Sequence, residues 1–281
     1  LYGAPVEKSR KTISIGQVCV MTLLGSQDPP AVTVRNQDAA APVLVVCDHA
    51  SNHVPKALDG LSVEPGTLER HIAYDIGARR VAELLSDRLD APAVISGYSR
   101  LVIDINRPVD DFTSIREISD GDVVPGNRHL SHEERAARQE ELYWPYHRSV
   151  ADAIASRHEN GQLPAIISVH SCTDKMKGVT RPWHIGVLMN KDRRMGEALM
   201  AVLAKQRPDL CIGDNKPYSG MDPYGYTIET HAIPGGLPNV LLEIRQDLIR
   251  DEAGQQEYAA IVGDAMEEVL ADPKLYTAYN Q

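Results

Sequence analysis

The sequence predicts a three-layer α/β/α sandwich around a mostly parallel mixed sheet, and three observations predict it. Short apolar runs of strand length recur along the chain, amphipathic helical patterns alternate with them, and polar residues gather where the runs end. The runs are residues 43–47, 93–96, 101–105, 165–169, 185–189 and 240–244. Continuous rather than alternating hydrophobicity is what a strand buried on both faces shows. A first helix over residues 76–89 carries Val81, Leu84, Leu85 and Leu89 on one face. A second opens at Ser131, where Glu134 completes a capping box, and continues past Trp144 to Ser156 despite Pro145. A third follows Asp192, with Met195, Leu199, Val202 and Leu203 apolar, and the last covers residues 252–270.

At 281 residues the chain is long enough for one large domain, which we place at residues 41–281. Residues 1–40 read as a loosely ordered leader: Lys8, Arg10 and Lys11 precede a mildly apolar stretch that Ser14 and Gln17 interrupt, and no signal-cleavage pattern follows. A net charge of −10 argues against a nucleic-acid partner but leaves room for an anionic substrate, since a few inward arginines can dominate a pocket. Cys19, Cys47, Cys172 and Cys211 show no paired spacing, which fits reduced thiols in a cytoplasmic protein. No apolar run approaches the roughly 20 residues of a membrane span, so no membrane partner is expected. Homo-oligomerisation is left open. Two long loops, residues 107–128 and 214–238, are of the length that in a compact domain usually serves function.

Four of the apolar runs meet residues that a plain core does not need. The first runs into Asp48-His49, the run at 165–169 into His170-Ser171, and the run at 101–105 holds Asp104 and continues into Asn106-Arg107. Glu243 lies inside the last run, where a buried carboxylate is costly unless paired or metal-bound. Two histidines at separate strand ends can converge on one ion, and catalytic zinc takes three protein ligands, often two His and a carboxylate. His49, His170 and Glu243 supply those types. Taken singly, a strand-end histidine is more often a hydrogen-bonded core or loop residue, and Glu243 has a bland alternative as an ion-pair partner of Arg245 or of a helix lysine. No motif of diagnostic spacing is present, so the residues alone indicate an α/β enzyme with metallohydrolase and other readings open.

A resemblance narrows this. The blocks at 46–52 (VCDHASN), 71–78 (HIAYDIGA), 99–108 (SRLVIDINRP), 125–128 (PGNR), 168–171 (SVHS), 181–184 (RPWH), 213–218 (GDNKPY) and 242–249 (LEIRQDLI) resemble the N-formylglutamate amidohydrolase family, in order, over residues 42–271. That family is similar in fold to zinc carboxypeptidases, aspartoacylase and zinc muramoyl-alanine amidases, the zinc-peptidase (phosphorylase/hydrolase-like) type. The resemblance implies hydrolysis of N-formyl-L-glutamate to L-glutamate and formate, as in histidine degradation. It further implies one Zn2+ per chain, or another divalent metal, with His49 and His170 as ligands and Glu243 as catalytic carboxylate. Asn106 and Arg107 look like the pair that holds a substrate carboxylate, a task suited to the planar guanidinium fork. A diacid needs further cations, and Arg100, Arg128 and Arg181 are the candidates. Asn52 stands where carboxypeptidases have a ligating Glu, so we assign the third ligand to Asp75, before the next helix as in the muramoyl amidases. Asp48 is the alternative, or a residue orienting a histidine; the competing role for Asp75 is a helix N-cap. Tyr226 and His231, in the second long loop, could close over the substrate or stabilise the oxyanion, but loop tyrosines more often merely pack and neither is assigned a role. The other functional readings are an amidase or carboxypeptidase on a peptide or cell-wall fragment, and a non-catalytic binding relative.

Overall fold

A computed structural model describes residues 22–222 and 225–280 of the chain. In chain order the elements that matter are β1 (Val32–Arg35), β2 (Val43–Cys47), α1 (Ala78–Arg88) and β3 (Ala93–Ser96). A small hairpin, β4 (Ile118–Ser119) and β5 (Asp122–Val123), precedes α2 (His132–Arg138), α3 (Trp144–Glu159) and β6 (Ala165–Cys172). A second hairpin, β7 (Lys175–Met176) and β8 (Val179–Thr180), leads to β9 (Ile185–Leu188), α4 (Arg194–Gln206) and β10 (Ile212–Asp214). The chain closes with α5 (Thr227–His231), β11 (Asn239–Arg245) and α6 (Glu252–Leu270).

Seven strands form one sheet in the order β1-β3-β2-β6-β11-β9-β10. Neighbours from β3 to β11 run parallel, β9 turns antiparallel to β11, and β1 caps the edge antiparallel to β3. The expected mostly parallel mixed sheet with helices on both sides is what forms. Helices α1, α4 and α6 cover one face, whose core holds Val45, Ile167, Val169, Leu242 and Ile244. The other face buries Leu44, Val46 and Ile166 with Tyr143, Tyr146 and Val150 from the helical segment before β6. Helix α3 packs mainly over β1, β3 and β2 on this side. Long loops cover the half made by β6, β11 and β9, and the cavity of interest opens there.

Three departures from the sequence reading have physical causes. The part of the expected leader from residue 22 onward belongs to the domain: β1 pairs with β3, and the Leu23 and Leu24 amides donate to Glu141. Residues 1–21 lie outside the described residues. Residues 101–105 are buried but are not a strand; their backbone turns, and its polar groups are met partly by other backbone, as where the Asp104 amide donates to the Ser114 carbonyl, and partly by side chains. Asn127 donates to the Leu101 carbonyl, and buried Arg138 donates to Val102 and to the Asn127 amide oxygen. Pro145 is accommodated because a π-turn at Gln139–Tyr143 separates α2 from α3 and places the proline in the first turn of α3, where its missing N–H costs little. The capping box of Ser131 and Glu134 forms as expected.

Candidate active site

Strand alternation builds the floor of the site. Odd-numbered residues of β11 face the cavity while Val240, Leu242 and Ile244 enter the core, and Glu243 pairs with His170 on β6 and with Gly186 on β9. Gly186 is required there, because a Cβ would run into the Lys216 carbonyl and stand 3.2 Å from the Glu243 Cβ. His49 follows β2 directly, where the chain leaves the sheet. Asp75 reaches it from the turn before α1, its amide donating to the His49 carbonyl at 2.8 Å. The helix N-cap is Gly77, at φ +80, where a Cβ would strike the Ile249 carbonyl; no side chain caps this helix. The Asp75 carboxylate therefore points at the histidines rather than capping α1.

His49, Asp75 and His170 are all buried, with one ligand atom from each lying within 4.8 Å of the others. His170 Nδ1 is 2.8 Å and His49 Nδ1 is 3.5 Å from the same oxygen, Asp75 Oδ2. The opposite ring nitrogens face other buried carboxylates: His49 Nε2 lies 2.8 Å from Asp104 Oδ1, and His170 Nε2 lies 3.1 Å from Asp48 Oδ2. Assigning the Nε2 protons to those carboxylates leaves two Nδ1 lone pairs converging on a carboxylate oxygen. That arrangement repels itself unless a cation or proton stands between, and it is the pattern of metal-ligating histidines oriented by carboxylates behind them. Burial, with the nearby Arg100 charge, pushes the His49 pKa down to about 4, so the ring is neutral and able to ligate. The donor set thus fits a divalent metal ion.

Asp48, weighed from the sequence as a ligand, stands behind His170. Tyr146 and Thr227 donate to its other oxygen at 2.5 and 2.9 Å. Burial opposes its ionisation, yet the His170 hydrogen bond and charge prevail and hold it at about 2. Asp104 does the same for His49; burial is again outweighed, by His49, Arg107 and Arg100, and its pKa falls far below the ordinary range. Asn52 points elsewhere, donating to Glu69.

Glu243 is 8 % exposed, and its Oε2 is buried without a hydrogen-bond partner. Burial raises its pKa, against the opposing pull of His170, Arg100, His49 and Arg181. A carboxylate kept hungry for a proton beside a ligand trio is suited to general-base work.

The cavity before these residues has a volume of about 510 Å3 and is lined by Asn106, Arg107, Arg100 and, unforeseen from sequence, Arg116. Arg100 pairs with Asp75 Oδ1. Arg107 donates to the Asn106 carbonyl at 2.8 Å, and Arg116 sits 3.9 Å from Asp104. The Asn106 amide oxygen is committed to the Tyr226 and Thr227 amides, so this residue also ties down the start of α5. Arg181 lies behind the wall: it donates to Thr173 and to the Tyr218 hydroxyl and stacks 4.9 Å from the Tyr218 ring. Arg128 is exposed and off the cavity. The reason is that its block, Pro125–Asn127, is a 3-10 turn whose Asn127 braces residues 101–116 and Arg138. Tyr226 packs against Tyr143 and His147, and His231 stacks on His147. Sequence reasoning singled out the two long loops that carry Arg116 and Thr227, but had no signal for these side chains themselves nor for the Tyr146 hydroxyl.

Fold and site together define a three-layer α/β protein whose histidine–carboxylate trio can hold a metal ion. Residues 41–250 match the N-formylglutamate amidohydrolase family, and the chain belongs to that family. It is similar to the gene product Atu2144 from Agrobacterium tumefaciens: 36% identity, TM-score 0.85, with 89% of this chain and 98% of that one covered. An N-formylglutamate amidohydrolase from Ralstonia eutropha shares the fold at 15% identity and TM-score 0.63, covering 86% of this chain and 97% of that one. No curated protein sequence matches the chain.

Proposed function

We propose that this protein is a zinc-dependent cytoplasmic amidohydrolase that removes the acyl group from an N-acyl acidic amino acid, with N-formyl-L-glutamate as the first substrate to consider. One observation carries the reading: the unpartnered Glu243 Oε2 stands beside a buried His–Asp–His trio, in a cavity also lined by Arg100, Arg107 and Arg116. His49, Asp75 and His170 are the residues that would hold the metal. A divalent ion there supplies Lewis acidity toward the scissile carbonyl and acidifies water near neutral pH.

The chain's own groups do the rest. Arg107 and Arg116, with the Asn106 amide beside them, meet the carboxylates of the amino-acid half and fix where its nitrogen lies. Glu243 takes the proton of the attacking water on Oε2 and delivers it to the leaving nitrogen as the C–N bond breaks. Formate and glutamate are the products. Asp48 and Asp104 hold the two imidazoles in one tautomer throughout. Buried, unpaired Cys47 and Cys172 support a reducing compartment, and no described helix is long and apolar enough to cross a membrane.

The test is product release from N-formyl-L-glutamate, N-formyl-L-methionine and N-acetyl-L-glutamate at equal concentration. Hydrolysis of the formylglutamate with the methionine analogue far slower is the expected result. Equal rates on both formyl compounds would overturn the diacid reading.

A further inference from the structure

The cavity extends well past the space that a formyl group fills. From Glu243 it runs down the same face of the sheet along β11, over Leu241 and Leu188, to Asn239 and Asn190. With one residue in two facing the cavity, Glu243 to Asn239 is a length of about 13 Å. Ser168 pairs with Leu241 one step below the His170–Glu243 pair, and its hydroxyl is buried with no hydrogen-bond partner. A buried hydroxyl facing a cavity without a partner is costly unless a ligand or water completes it.

The far end differs in chemistry from the near end. Beside the trio and its carboxylates the lining carries three arginines, Arg100, which pairs with Asp75, and Arg107 and Arg116. At the other end are Asn190, Asn239 and the Glu229 carboxylate, and a second cavity of about 210 Å3 shares these residues and reaches Tyr279. Glu229 is exposed at the mouth of this end; partial desolvation raises its pKa and a hydrogen bond from Asn190 opposes the rise. The arginines accept an anion; this end favours a hydrogen-bond donor or a cation.

We infer that the enzyme takes N-acyl glutamates with an extended acyl chain ending in an amine or amide, held by Ser168, Asn190, Asn239 and Glu229. The inference rests on the proposed amidohydrolase reading and names the acyl half of its substrate. Allowing about 3 Å of contact at each end of the channel, the acyl group spans some 7 Å, roughly two residues of extended chain. Formyl occupies only the first step of that channel.

The test compares kcat/KM for N-formyl-, N-acetyl-, N-hexanoyl- and N-(ω-aminopentanoyl)-L-glutamate on the intact enzyme. The last two are matched in length and differ in the terminal group. The expected order places the aminopentanoyl compound about tenfold or more above acetyl, because filling a pocket gains about that much per group, and above hexanoyl. In Glu229→Gln the ratio of aminopentanoyl to hexanoyl rates should fall about threefold or more, a ratio that partial misfolding does not move. Hydrolysis of formyl and acetyl compounds with the long chains unreactive overturns the extended subsite and leaves the amidohydrolase reading intact. Silence on the whole series overturns both.

Discussion

Alternate residues of β11 part company. Val240, Leu242 and Ile244 sit in the core with residues of α1, α4 and α6, whereas Asn239, Leu241 and Glu243 line the cavity opposite. The first set is held by apolar contacts that any residue of similar volume could supply. The second set includes a carboxylate left without a partner, which lowers stability and is retained where chemistry uses it. One strand therefore separates what folds the protein from what the site does, and substitutions on its two faces should fail in different ways.

The largest effect is expected from Glu243→Gln. Loss of the proton carrier should lower kcat/KM about a thousandfold, within the usual range for a positioned general base, while bound metal and melting temperature hold. Its neighbour Leu242, fully buried on the other face, should behave in the opposite sense. Leu242→Ala should cost about 2–5 kcal/mol by denaturant titration, with kcat of the folded fraction near that of the parent. A stability loss in the first or a selective kcat loss in the second would erase the distinction.

Smaller effects sharpen it. Asp104 touches His49 only on the nitrogen away from the trio, so Asp104→Asn should weaken metal affinity about 10–100-fold, read by competition with a chelating dye. An unchanged affinity would mean that this carboxylate does not orient the ring. Arg107→Ala should raise KM for N-formyl-L-glutamate about tenfold more than for N-formyl-L-methionine, with kcat less affected. Equal increases for both would remove Arg107 from carboxylate recognition.

The same division explains what could be read in advance. Five of the six apolar runs become strands of the sheet, because burial on both faces leaves a continuous hydrophobic signature. The sixth, 101–105, carries that signature for burial alone. Its carbonyls are met by Asn127 and Arg138, long-range partners that no local pattern reveals. His49, His170 and Glu243 stood out because polar residues at strand ends conflict with a plain core, and the structure brings all three to one cavity. Asp75 was reached only through resemblance, since a residue just before a helix equally suggests a cap. Arg128 and Arg181 show the converse: arginines in conspicuous blocks, one exposed and one held behind Tyr218, while Arg116, in the first long loop but in no conspicuous block, reaches the cavity.

The most direct test of the central claim is formate release from N-formyl-L-glutamate by one preparation of enzyme, assayed as purified, after exhaustive chelation and after zinc is returned. The account predicts loss of turnover on chelation, recovery with about one zinc per chain, and no recovery in His170→Ala at the same zinc concentration. Turnover that persists undiminished in protein shown to be free of metal would contradict it.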